Sequence, residues 1–408
     1  MAEEVEYEPV SVKAVLSEMK DTAELLIDLS YSAVLLDSDE VAAEVLELEE
    51  KMDILQLQAR MSIMMAARSP ADAEALAPVL GVIGAAEKIS DAAGDIAKVV
   101  LEDIGLPPEM QAALPGAVET LVRATIAPDA PLAGETLGGL TLETATGVRV
   151  LAVRRSGRWL LDPTADTGLR AGDVVLLRGP EAGIAAVYAD ATDEPYHPPE
   201  RPAGDSADLD RAVDSIVLMK DMGELAVDLA YGAVLFDSEE VAKEVFELEA
   251  EVDALKSRFE AWTLQAADRV DDPVSLRGLV GIASATEVIS DAALEISEGV
   301  LRGLGTHPVV AEAVRESDEI IVRQAVAPGS RLDGATIGAA MVKTETGMRI
   351  IAVRRSDGDA GDEAWELSPG PETALAAGDV LLAKGPREGV GRLAGLTGES
   401  EYTGRRKS

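Results

Sequence analysis

MKDTAELLIDLSYSAVLLDS, residues 19–38, returns 200 positions later as MKDMGELAVDLAYGAVLFDS, residues 219–238. Outward from this pair the match continues. AAEKISDAAGDI (85–96) returns as ATEVISDAALEI (285–296), and AVRR recurs at 152–155 and 352–355. The offset of 200 becomes 206 at Gly172-Asp173 and Gly378-Asp379, and the loop DGDAGDEA (357–364) accounts for the change. A constant offset over so long a stretch means that each half is a complete unit, not one blade of a short repeat.

Within each half the apolar period changes partway along. Leu25, Leu29 and Leu36, then Val41, Val45, Leu48, Met52 and Leu55, recur at three and four, the spacing of one helical face. Ser38 is placed to cap a second helix, and Ser69-Pro70 to open a third that stops before Gly105 and Pro107-Pro108. Three amphipathic helices joined by short turns predict an antiparallel bundle. After Glu119 the pattern becomes short β-rich runs, VRATIAP, GVRVLAVRR and DVVLLRGP, with one short helix near 134–140 and another after Pro180. The expected fold class is α and β multidomain: two three-helix bundles alternating with two small α+β domains. The expected boundaries are bundle 1 at 1–110, β-rich domain 1 at 111–190, an acidic Pro-rich linker at 191–208, bundle 2 at 209–310, β-rich domain 2 at 311–400 and a disordered tail at 401–408.

Composition excludes several function classes. The 408 residues hold 75 Asp plus Glu against 36 Lys plus Arg, a formal charge of −39 that opposes any phosphate backbone or anionic lipid. Nucleic acid is therefore not an expected partner, nor is direct insertion in a membrane, since no long apolar run is present and the first residues are acidic. Without cysteine there is no disulfide framework, thiolate nucleophile or cysteine metal site. Acid excess, lysine scarcity and a core of small residues suggest a halophilic source, and a cytoplasmic location is expected.

The acids supply the leading candidates. Glu24 and Asp28 on the first helix, and Glu87, Asp91 and Asp95 on the third, each stack at a spacing of four, with Glu224, Asp228, Glu287, Asp291 and Glu295 as their repeats. Carboxylates stacked in this way can offer oxygen ligands to a hard cation; so acidic a chain also produces such spacings as plain solvated surface. His197 and His307 lie beside no nucleophile, and neither a phosphate-binding loop nor a dinucleotide fingerprint occurs. The chain is expected not to be an enzyme. Met61, Met64 and Met65 read as core filler. Arg149, Arg154, Arg349 and Arg354 on the β-rich runs could hold an anionic ligand at an interface, or pair with nearby acids.

LLIDLSYSAVLLDSDEVAAEVLELEEKMDIL with IGAAEKISDAAGDIA resembles the PhoU helical domain, and the run from TIAPDAPLAGETL through AGDVVLLRGP resembles the TrkA C-terminal domain, also called RCK_C. The order matches archaeal proteins that carry both. The resemblance implies a regulator of cation transport, potassium foremost, which senses a small ligand, a metal ion or both and acts on a membrane transporter or channel. The alternative it leaves is a phosphate-transport regulator whose TrkA C-terminal domains serve only to dimerise. It implies metal at Glu87, Asp91, Glu287 and Asp291, with Glu24, Asp28, Asp95 and their repeats weaker. It further implies a small ligand, such as cyclic di-AMP, near the arginines, and pairing as a homodimer or an intrachain pseudo-dimer. Ala92 and Ala292 replace the His that often follows the acidic pair, so magnesium, manganese or iron is favoured over zinc. The nucleotide-binding domain of TrkA is absent, so neither NAD nor ATP is expected.

Overall fold

The computed structural model describes residues 11–107, 109–110, 120–156, 158–161, 163–197, 207–270, 272–302, 307–317, 319–355 and 365–398. The 357–364 loop, residues 198–206 of the expected linker and the expected tail fall outside these residues.

Bundle 1 comprises α1 (Val12–Leu36), α2 (Asp39–Ala66) and α3 (Pro70–Leu101). Each start is set by a side-chain cap. Ser11 Oγ accepts from the Ala14 N–H, Ser38 Oγ from Val41 and Ser69 Oγ from Asp72, with Pro70 in the first turn, where a missing N–H costs no helical bond. Asp37 ends α1 in the left-handed region, at φ 46°, which turns the chain within two residues. The three helices close on Leu26, Leu29, Val45, Met52, Ile83, Ile89 and Ile96, all buried.

The β-rich part of the first half holds β1 (Thr120–Thr125), α4 (Leu137–Leu140), α5 (Leu142–Thr146), β2 (Arg149–Arg155), β3 (Arg158–Leu161), β4 (Val174–Gly179) and α6 (Glu181–Thr192). The strand order is β1-β4-β2-β3, so the central pair is contributed by GVRVLAVRR and DVVLLRGP. Strand β3 and the short helix α5 are elements that the sequence pattern did not give. The last turn of α6 enters the expected linker. In the second half the elements recur as α7 (Ala207–Phe236), α8 (Glu239–Ala266), α9 (Leu276–Leu301), β5 (Glu319–Ala325), α11 (Val342–Thr346), β6 (Arg349–Arg354), β7 (Trp365–Leu367), β8 (Val380–Pro386) and α12 (Gly389–Thr397). The order of the second sheet, β5-β8-β6-β7, repeats the first. One further helix, α10 (Pro308–Glu316), packs on α1, and His307 caps it by accepting from the Val309 N–H through Nδ1.

The chain folds as two units, each built from equivalent parts of both halves. One holds the two bundles (1–121 with 198–317), the other the two β-rich domains (122–197 with 318–408). In the helical unit α3 packs along α9. Two lysines are buried there in a crossed arrangement: Lys20 Nζ lies 5.4 Å from the Tyr231 ring centre, and Lys220 Nζ 5.3 Å from that of Tyr31. Each ammonium also meets a carboxylate one turn along its own helix, Lys20 with Glu24 at 2.8 Å and Lys220 with Glu224 at 2.7 Å. A buried ammonium requires such partners; beside the facing rings, Lys20 donates to Ser317 Oγ at 2.7 Å and Lys220 lies 3.8 Å from Asp221. Tyr31 donates to or accepts from Thr286 Oγ1 at 2.6 Å, and burial holds its phenol well above the usual range.

In the β-rich unit the two domains meet through α5 and α11. Each has its own core, around Val150, Val175, Leu177 and Ile184 in the first and Ile350, Leu381, Ala383 and Leu393 in the second. The methionine cluster departs from expectation. Met64 and Met65 are 67% and 54% exposed and fill no core, because α2 turns that face away from both α1 and α3.

Candidate metal centre and anion-binding interface

The acidic candidates separate into two environments. Glu24 and Glu224 hold the buried lysines, and Asp28 and Asp228 are buried beside them on α1 and α7. This set belongs to the packing of one bundle on the other. Glu87, Asp91 and Asp95 lie on α3 instead; burial raises the Glu87 and Asp91 carboxyls, Asp53 on α2 raises both further, and Glu49 on α2, raised by burial, feels Asp91, Asp95 and Asp53.

The same pairing recurs in bundle 2, with a tighter result. Among the described residues, Glu249 and Asp253 on α8 and Asp291 on α9 bring carboxylate oxygens within 4.8 Å of one another. Burial pushes the Asp291 carboxyl above its ordinary range, and Glu287, Asp253 and Glu295 push it further, against Lys256. Glu249 is raised by burial and then by Asp253, Asp291 and Glu287. Three carboxylates held together against their mutual repulsion, two of them open to water, form a donor set that suits a hard divalent cation retaining some of its own water. Nothing in this set favours zinc. Glu287 is drawn aside by an ion pair with Lys256, and Glu295 by one with Lys88 of bundle 1.

Bundle 1 differs at two positions that explain why its acids do not converge. Lys98, where bundle 2 has Glu298, reaches Asp95 at 3.1 Å and Glu49 at 3.8 Å. Gly94, where bundle 2 has Leu294, leaves room for Glu49 to lie over α3, since any Cβ there would collide with the Glu49 carboxylate. A resident ammonium and a glycine-floored channel therefore draw Glu49 away from Asp53 and Asp91. Glu87 is paired with Arg60 at 3.4 Å. Sequence reading passed over Glu49, Asp53, Glu249 and Asp253, although Glu49-x-x-x-Asp53 and Glu249-x-x-x-Asp253 show the same spacing of four as the acids it selected.

The four arginines also fall into two sets. Arg149 opens β2 opposite Arg178 on β4, and Arg349 opens β6 opposite Lys384 on β8. Glu319 joins the domains here, accepting Arg149 at 3.3 Å and Lys384 at 3.3 Å. The Lys343 stem crosses from the second domain onto Gly147 of the first; Gly147 has φ +71°, and a side chain there would press on the lysine. Cations from both domains thus gather at their junction, with Glu319 among them. Arg154 and Arg354 are elsewhere. They lie five residues further along extended strands, about 17 Å at a strand's usual rise, and Arg354 stacks on Trp365 at 5.6 Å. Arg155 and Arg355 are structural: Arg155 binds Asp173 through Nε at 2.9 Å and Nη2 at 2.6 Å, and Arg355 binds Asp379 at 3.0 Å together with Glu366.

With this geometry in place, the family models give the identity of the parts. The PhoU domain model matches residues 16–100 and 216–300, and the TrkA-C domain model matches 121–191 and 321–398. The chain carries two PhoU and two TrkA-C domain regions in alternation. Both are families of regulatory, not catalytic, domains. Among curated proteins no sequence matches the chain. Of the solved structures, PhoU from Pseudomonas aeruginosa aligns at 12% identity over 72% of this chain and 96% of that one, with a TM-score of 0.41. The GsuK RCK domain aligns at 16% identity over 69% and 64%, TM-score 0.18, and the GsuK channel at 13% over 78% and 66%, TM-score 0.19. Likeness at these scores carries no argument, and the assignment stands on the family models. No helix among the described residues is long and apolar enough to cross a membrane.

Proposed function

We propose that this PhoU and TrkA-C chain regulates transmembrane cation transport, potassium transport foremost, by coupling a small anionic ligand in its paired TrkA-C domains to the state of its PhoU bundles. The observation that carries the reading is the joining, within one chain, of two TrkA-C domains around Arg149, Arg178, Arg349, Lys343 and Lys384. Glu319 occupies that junction as an internal anion, and a phosphate-bearing ligand would compete with it for Arg149 and Lys384. Displacement of Glu319 would change what ties the two domains together. A ligand shifts their arrangement only by the difference in its affinity for two such states.

In the bundles, Glu249, Asp253 and Asp291 are the proposed ligands of a magnesium, manganese or ferrous ion, with Glu287 and Glu295 close by. The ion would supply positive charge that relieves the repulsion among these acids and stiffens α8 against α9. Glu87, Asp91 and Asp95 form the equivalent but cation-compensated face of bundle 1. The proposed partner is a membrane cation transporter or channel, met from the cytoplasmic side.

The test is ion uptake in cells from which the gene has been deleted and then restored. Loss of normal rubidium flux, restored by the wild type but not by Arg149→Ala/Lys384→Ala, supports the proposal. An unchanged rubidium flux with altered phosphate uptake would overturn it in favour of a phosphate regulator that uses its TrkA-C domains only for pairing.

A further inference from the structure

The exposed face of α2 carries a pattern that neither the metal centre nor the ligand junction uses. Glu47, Glu50, Ile54, Leu57, Met61 and Met64 recur at intervals of three, four, three, four and three, the spacing of a seam between two helices. Ile54, Leu57 and Met64 are 39%, 43% and 67% exposed, and Met61 is half-buried. The seam is acidic at its N-terminal end and apolar beyond. The two cations of this helix are taken up within the bundle, Lys51 by Glu18 and Arg60 by Glu87, so they do not offset the acidic end. The duplication supplies a control. The same positions on α8 are Glu247, Ala250, Ala254, Ser257, Ala261 and Leu264, so an identical scaffold folds with small residues along most of this face. The large side chains of α2 are therefore not demanded by the bundle.

We propose that this face of α2 docks an amphipathic helix of another protein, one with apolar residues at heptad spacing and a basic end that meets Glu47 and Glu50. Unbranched, polarisable methionines suit such a groove, because they reshape around a partner's side chains. Charge argues against the other occupants. A chain of −39 is repelled by anionic lipid. A second copy set antiparallel would press Glu47 and Glu50 onto Met61 and Met64, and set parallel would oppose acid to acid.

The test uses the full chain and a fluorescent synthetic peptide of three heptads, leucine on its seam and lysine and arginine at one end, with a control bearing glutamate at that end. Anisotropy titration is expected to show binding of the basic peptide and at least tenfold weaker binding of the control. Replacing α2 residues by their own repeat counterparts, Ile54→Ala/Leu57→Ser/Met61→Ala, is expected to weaken binding tenfold or more, and Glu47→Gln/Glu50→Gln to erase the preference for the basic end. The reverse graft, Ala254→Ile/Ser257→Leu/Ala261→Met, is expected to create a second site. Equal binding by wild type and the triple variant would overturn the proposal. So would a wild-type dimer in sedimentation that the triple variant abolishes, or flotation with phosphatidylglycerol vesicles lost in the triple variant, which would assign the face to a second copy or to lipid.

Discussion

Bundle 1 and bundle 2 descend from one sequence pattern and share a 28-residue middle helix capped by Ser38 or Ser238, yet their acidic faces are in different electrical states. In bundle 1, Lys98 and Arg60 stand among the carboxylates, and Gly94 lets Glu49 lean out of the cluster. In bundle 2, Glu298 and Leu294 replace Lys98 and Gly94, and Glu249, Asp253 and Asp291 converge. Lys98 and Gly94 on α3 and Arg60 on α2, replaced by Glu298, Leu294 and Glu260, thus separate a compensated face from one whose cation, Lys256, pairs with Glu287 beside the converging acids. A motif's spacing sets which carboxylates can meet; the neighbouring cations decide whether they do.

The sharpest way to break this comparison is to remove ligands from each side. Asp253→Asn/Asp291→Asn is expected to weaken manganese binding at least a hundredfold in calorimetry, while Asp53→Asn/Asp91→Asn changes the measured stoichiometry little; equal losses would show that the bundles are equivalent. The TrkA-C domains offer a parallel contrast. Burial works to raise the Asp173 carboxyl, but the Arg155 hydrogen bonds and the Arg170 N–H bring it below its ordinary range. Among the described residues Arg155 has one carboxylate partner, Asp173, whereas Arg355 has Asp379 and Glu366. Asp173→Ala is therefore expected to cost about 2–3 kcal/mol, discounted for the partly exposed guanidinium, and Asp379→Ala about 1 kcal/mol less, as read by denaturant unfolding. A lowered carboxyl gives stability that is present above its unfolded value and lost as pH falls through its folded one, so the Asp173→Ala deficit should shrink in acid.

Smaller effects sharpen the picture. Gly94→Leu/Lys98→Glu is expected to tighten metal binding at bundle 1 about tenfold, which an increase in bound manganese per chain would register. In chelator, the raised Asp291 and Glu249 carboxyls reverse the usual sign. The folded state holds these protons more tightly than the unfolded, so their penalty grows once pH passes the unfolded values and is complete above the raised ones. Asp291→Asn should then raise the metal-free melting temperature by about 2 °C near neutral pH and leave it unchanged in acid.

Much of this was legible in the residues themselves. Ser38, Ser69 and Pro70 fixed the helix starts, and the change of period at Glu119 divided each half into helical and β-rich parts. The site was legible only in part. Glu87, Asp91, Glu287 and Asp291 were visible by spacing, but Glu49, Asp53, Glu249 and Asp253 become partners only once α2 lies on α3 and α8 on α9, and pairing across helices leaves no mark in local periodicity. Glu24 and Asp28 show the same spacing and serve another end, because the helix face they share with Lys20 turns toward the second bundle. Met64 and Met65 misled for a related reason: apolar residues at helical spacing mark a face, and only the packed bundle shows which face has no neighbour.

The crossed contacts of Lys20 with Tyr231 and Lys220 with Tyr31 carry a consequence for how such a molecule changes over time. In an assembly of two identical chains every substitution appears twice, and both sides of the symmetry axis must accept it together. Here the two sides are separate codons. The tether keeps them matched at any protein concentration, so one side can retain the ancestral task while the other drifts toward a new one.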